Sequence, residues 1–130
     1  MELHDSIQVS NLLARFATLA DIGSLEEIGT LLSVDIVWQM GGTMLKGRDD
    51  VIAALGQIRR AEQAGPGTGT RHVVSNFQIE LDGEDHARAH SYFLFITVGD
   101  APAVSLFGEY RDTLCKENGR WVIASRLVII

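Results

Sequence analysis

RHVVSNFQIELDGEDHARAHSYFLFITVGDAPAVSLFGEYRDTLCKENGRWVIASRLVII, residues 71–130, decides the fold. It divides into four runs rich in β-branched and aromatic residues: Arg71 to Leu81, Ala87 to Val98, Val104 to Leu114 and Trp121 to Ile130. The connectors are Asp82-Gly83-Glu84, Gly99-Asp100-Ala101-Pro102 and Lys116-Glu117-Asn118-Gly119. Each is short enough to return the chain antiparallel, so the pattern predicts a four-stranded meander. A sheet of such long strands must twist and curl.

Upstream of the meander the periodicity is helical. Over residues 5 to 21, Val9, Leu12, Leu13, Phe16, Ala17 and Ala20 form one apolar face, and Gly23 ends the helix. Ser24 with Glu27 predicts a capping box opening a short second helix that carries Leu25, Ile28, Leu31 and Leu32. Val34 to Met40 alternate as a strand, Gly41-Gly42 supplies a tight turn, and Thr43 to Lys46 return. A third helix follows Gly47-Arg48-Asp49-Asp50, with a buried stripe of Val51, Ala54, Leu55 and Ile58 and a solvated end from Arg59 onward. The segment AGPGTGT, residues 64–70, reads as a connector or a mobile lid.

Helices followed by a meander indicate an α+β domain. The expected architecture is N-terminal helices packed on a strongly curved, mostly antiparallel sheet, a cone with an internal pocket. Without an internal repeat or a compositional break, residues 1–130 read as one domain. The 130 residues are 46% apolar and 22% charged, enough for a proper core. A net charge of −6 with scattered Lys and Arg argues against nucleic acid. No apolar run approaches the roughly 20 residues of a membrane helix. The start lacks the pattern of a secretory signal, and a lone Cys115 fits a reducing compartment, so the expected location is cytoplasmic. Walker, dinucleotide, Cys-x-x-Cys and His-Glu-x-x-His patterns are all missing, which points to chemistry with no cofactor and no metal.

Seven pieces, in order, carry a family resemblance: RFATLAD (15–21), DIVW (35–38), GRD (47–49), RHVVSN (71–76), DG (82–83), GEYRD (108–112) and NGRW (118–121). Together they resemble the SnoaL-like group of the nuclear transport factor 2-like superfamily of cystatin-like α+β cones. Members range from polyketide cyclases to noncatalytic subunits, so fold alone does not settle function. Scytalone dehydratase and hexachlorocyclohexane dehydrochlorinase share an Asp at the end of the first helix and a His opening the strand after the third. Asp21 and His72 match those positions. The departures are Thr97, where the scytalone enzyme has a second pocket histidine, and Phe16, where the dehydrochlorinase has a lysine.

Both residues also have plain structural readings. Asp21 sits where a helix C-terminus disfavours a carboxylate by roughly a few tenths of a kcal/mol, and it is also placed to bond the turn at Gly23. By alternation His72 lies with Val74, Asn76 and Gln78, opposite Val73, Phe77, Ile79 and Leu81. The resemblance makes Asp21 and His72 the candidate catalytic pair, with His72 as general base. Candidate substrate-binding residues are Trp38, Asn76, His90, Tyr92, Tyr110 and Arg126. His90 and Tyr92 share one face of their strand and Ser91, Phe93 and Phe95 the other, and alternation alone does not say which is concave.

The expected activity is a cofactor-independent lyase or isomerase acting on a small hydrophobic substrate, cyclic molecules included. The alternative is a noncatalytic ligand-binding or assembly module resembling a dioxygenase small subunit. The resemblance further implies a homodimer through the outer face of the sheet. The apolar tail Leu127 to Ile130 suits either that interface or an ordinary core strand.

Overall fold

The structure, a computed structural model, describes residues 2–130. Its elements are α1 (Glu2–Ile22), α2 (Leu25–Gly29), β1 (Leu32–Met40), β2 (Thr43–Lys46), α3 (Arg48–Arg60), β3 (Arg71–Asp82), β4 (His86–Val98), β5 (Pro102–Glu117) and β6 (Arg120–Ile129). The order follows the hydrophobic patterning. The first helix begins three residues earlier than its apolar face predicts, because Asp5 anchors its first turn. Asp5 accepts a bond from Trp121 Nε1 at 3.1 Å and pairs with Lys116 Nζ at 3.2 Å. The capping box is present as predicted: Glu27 N donates to Ser24 Oγ at 3.0 Å, and Ser24 N donates to Glu27 Oε1 at 3.2 Å.

Six strands form one sheet in the order β2-β1-β6-β5-β4-β3. The meander β3 to β6 is antiparallel throughout, and β6 then pairs parallel with β1, so the sheet is mixed. The helices cover one face of the strongly curled sheet. Val9, Leu13 and Phe16 of α1 meet Ala87, Ala89 and Leu114 in the main core. Phe93, Tyr110 and Val128 form a second, smaller cluster farther along the same concave face.

Two local features depart from simple alternation. Asn76 adopts φ = 57°, and the β3–β4 register shifts between Ser75 and Gln78, which marks a β-bulge. An extra residue inverts the side-chain phase. His72 and Val74 therefore share the inner face with Phe77, Ile79 and Leu81, instead of lying opposite them. The other departure is Arg59. Rather than marking a solvated helix end, it turns back onto α1, donating to the carbonyls of Gly23, Leu19 and Ala20.

The connector 64–70 is tied down rather than loose. Thr68 Oγ1 donates to the Gly65 carbonyl at 2.6 Å and lies 2.8 Å from Thr70 Oγ1. Gly65 has φ = 108°, and a Cβ there would meet Arg59 Cγ at 2.8 Å, so only glycine fits. No helix among the described residues is long and apolar enough to cross a membrane.

Candidate active site

Asp21 lies in the last turn of α1 and is 5% exposed. Its carboxylate accepts the backbone N–H of His72 at 3.0 and 3.1 Å and faces the His72 ring, with Nδ1 to Oδ1 at 2.8 Å. The backbone bond has a topological cause. β3 is the edge strand of the sheet, so its outward N–H groups have no ladder partner, and Asp21 takes the one that His72 presents. With Nδ1–H donated to a carboxylate, the neutral ring carries its lone pair on Nε2. The imidazole lies 4.8 Å from the Phe95 ring and 6.5 Å from that of Phe93, in largely apolar surroundings.

Beyond those rings sits an ion pair made by sheet register. Asp112 and Arg126 are directly opposed on β5 and β6, and both point inward. Arg126 donates from Nε to Oδ1 at 2.7 Å and from Nη2 to Oδ2 at 3.0 Å, a two-pronged bond with both partners buried. Burial works against the guanidinium charge, but the Asp112 carboxylate outweighs it and holds Arg126 above its ordinary pKa. The same cation lies 3.8 Å from the Tyr110 ring centre and 4.8 Å from that of Phe16. Tyr110 stacks on Phe93, with centroids 4.4 Å apart. Burial pushes the Tyr110 phenol up, so it keeps its proton at neutral pH. Neither Arg126 Nη1 nor the Tyr110 hydroxyl is bonded among the described residues.

His72, Tyr110 and Arg126 line a cavity of ≈ 270 Å³. Its walls are mainly apolar, from Phe16, Trp38, Phe93, Phe95 and Leu106, and His72, Tyr110, Arg126, Arg59 and Gln63 supply polar edges. Asp21 stands behind His72 and does not line it. Among the described residues, no group of three or more His, Cys, Asp or Glu side chains is placed to hold a metal ion.

Four of the eight residues expected at the site therefore line the cavity: His72, Trp38, Tyr110 and Arg126. Three do not. Asn76 is the exposed bulge residue, and its side chain leaves the inner face there. His90 and Tyr92 lie on the convex face, because Ala87, Ala89, Ser91 and Phe93 are the buried positions of β4. Arg88 carried a usable signal: a charged residue in phase with His90 and Tyr92 marks that face as the wet one. Nothing in residue order marks Asp112 as part of the site, although it is in phase with Tyr110. Its importance depends on Arg126, which reaches it only through strand register.

A model of the SnoaL-like domain matches residues 1–127. The chain is a SnoaL-like domain. Solved structures agree with the fold across nearly its whole length. A protein of unknown function from Mycobacterium tuberculosis superposes with a TM-score of 0.85 at 22% identity, covering 97% of this chain and 76% of that one. An NTF2-like protein with a cystatin-like fold from Novosphingobium aromaticivorans gives 0.85 at 24% identity, with 97% and 81% covered. A candidate scytalone dehydratase from the same organism gives 0.82 at 25% identity, with 98% and 84% covered. No curated protein matches the sequence significantly.

Proposed function

We propose that this SnoaL-like domain is a cofactor-independent lyase or isomerase in which His72 is the general base. The observation that carries the reading is a histidine with one nitrogen held by a buried carboxylate and its ring lining a mainly apolar cavity. In the forward step Nε2 takes a proton from a carbon beside a carbonyl, and the C–H electron pair moves onto the carbonyl oxygen. Asp21 stabilises the resulting imidazolium. The Tyr110 hydroxyl and Arg126 Nη1 are donors available to the oxygen as it gains charge. The intermediate then expels a leaving group from the next carbon, or recovers the proton at a different carbon.

The electrostatics narrow the substrate. Asp112 already neutralises Arg126, so that guanidinium suits an oxygen that gains charge during reaction better than a substrate carboxylate. The volume of ≈ 270 Å³ lies just below the roughly 300–1,000 Å³ of pockets for drug-sized ligands, which favours a small cyclic molecule. The likeness to a candidate scytalone dehydratase supports the dehydratase form of this chemistry.

The test follows proton exchange into small cyclic ketones and β-hydroxy ketones in D₂O, a readout that does not depend on the leaving group. Enzyme-dependent exchange is expected, falling by about 10²-fold or more in a folded His72→Ala protein. Undiminished exchange in that variant would falsify the mechanism. Saturable binding of the same compounds without any exchange would instead establish a ligand-binding module.

We also propose that the convex face pairs with a second copy of the chain. Val73, Leu94 and Phe107 are opposed in register across β3, β4 and β5 and are 43%, 38% and 71% exposed, with Tyr92 beside them. An outward apolar row of this kind on three adjacent strands supports burial against a like surface.

A further inference from the structure

We propose that Arg59 is a positioning residue for the Asp21–His72 pair, supplying from α3 the positive charge that the end of α1 lacks; this rests on the base reading above. The final carbonyls of a helix have no partners within it and carry the negative end of its dipole. Asp21 stands in that turn, and α1 has no basic residue of its own there. Arg59 fills the gap from another element. Nη1 donates to Gly23 O at 2.7 Å, and Nη2 donates to Leu19 O at 3.0 Å and Ala20 O at 3.3 Å. Its stem is packed under the backbone of Gly65, and it lines the same cavity as His72.

Arg59 also decides a charge balance. The charged and titratable groups around His72 are Asp21 on α1, Tyr110 and Asp112 on β5, Arg126 on β6 and Arg59 on α3. The neighbouring Arg71 is exposed and bonded to the Thr70 carbonyl. Tyr110 is neutral, and Arg126 and Asp112 cancel as a bonded pair. What remains is a carboxylate and a helix C-terminus, both negative, opposed by Arg59. Both negatives attract a positive charge on the His72 ring. Arg59 opposes that tendency while bracing the turn that holds the carboxylate.

The experiment follows the His72 ring by NMR through a pH titration, in wild type and in Arg59→Gln. The glutamine keeps an N–H donor and removes the charge. The expected result is a rise in the His72 midpoint of about 0.5 pH unit, with smaller movement at His4, His86 and His90. Arg59→Lys, which restores the charge, is expected to return the midpoint toward wild type. Arg59→Met carries the same expectation as Arg59→Gln if the latter fails to fold. An unchanged or lowered midpoint in a folded, uncharged variant would reduce Arg59 to a plain structural cap and overturn the proposal. The titration needs no substrate, so it stands apart from the exchange assay. Loss of the base role for His72 would appear only in exchange, and loss of the Arg59 role only in titration.

Discussion

Two histidine–carboxylate pairs lie on opposite sides of the same sheet, and both are 2.8 Å long. His72 and Asp21, on the concave side, have side chains 20% and 6% exposed; His90 and Glu109, on the convex side, are 34% and 32% exposed. The outer pair is open on one side and shares its carboxylate with Arg111 at 3.6 Å. The His90 hydrogen bond holds the Glu109 carboxyl below its ordinary range, so that pair is a modest surface contact that weakens with acid. The inner pair sits among Phe93 and Phe95, and its ring lines the apolar cavity. Hydrogen-bond length therefore does not distinguish them. Burial of the carboxylate does, together with what the ring faces.

The arginine–carboxylate pairs repeat the lesson. Arg126–Asp112 and Arg88–Glu80 are both 2.7 Å long, yet the first is essentially sealed and the second lies in open solvent. A sealed pair contributes little net stability as a pair but is costly to break, because the survivor keeps its charge without a partner.

The largest effect expected concerns the two histidines. His72→Ala should lower proton exchange by about 10²-fold or more, whereas His90→Ala should leave it unchanged within error. If His72→Ala were the silent variant and His90→Ala the damaging one, the assignment of inner and outer roles would be reversed. Next comes Asp112→Asn, which strands the Arg126 charge in the interior. A loss of about 3–5 kcal/mol is expected in urea unfolding, against no resolvable change for Glu80→Gln. A mild Asp112→Asn phenotype would mean that Arg126 is better solvated by the cavity than its burial suggests.

A finer probe is Tyr110→Phe. It removes a hydroxyl with no partner among the described residues, so unfolding should barely change while exchange falls by about 10²-fold. A fall in stability without a fall in rate would return Tyr110 to the core. The smallest effect on the site is expected from Phe107→Asp on the convex face. It should convert a dimer to a monomer in light scattering while exchange per chain stays the same. A wild-type protein that is already monomeric would remove the convex face from the assembly proposal.

Much of this arrangement is legible in residue order. The element sequence, the Ser24–Glu27 capping box, the Gly41-Gly42 hairpin and the meander follow from hydrophobic period and turn chemistry. Asp21 and His72 stand out because a family pattern links two positions 51 residues apart. The faces of β3 do not follow in the same way. No glycine or proline marks the bulge at Asn76, so strict alternation carries the phase straight through it and assigns His72 and Phe77 to opposite sides. Arg59 has the same difficulty. A charged residue in the last turn of a helix reads as solvated until the packing of α3 beside α1 shows which carbonyls it can reach.

What the sequence determined by itself is local and periodic: which segments coil, which extend, where the chain turns, and that one face of each element must be buried. Those properties depend on neighbours a few residues away, and 130 residues state them directly. The tertiary structure alone decided which strand face is concave, where one extra residue inverts the phase of β3, and which charge ends beside which. Asp112 meets Arg126 through register, Asp21 meets the orphan N–H of an edge strand, and Arg59 meets the end of α1 across a helix pair. Each contact joins distant parts of the chain, and electrostatic energy depends on the separation and burial of charges in space, which residue order does not contain.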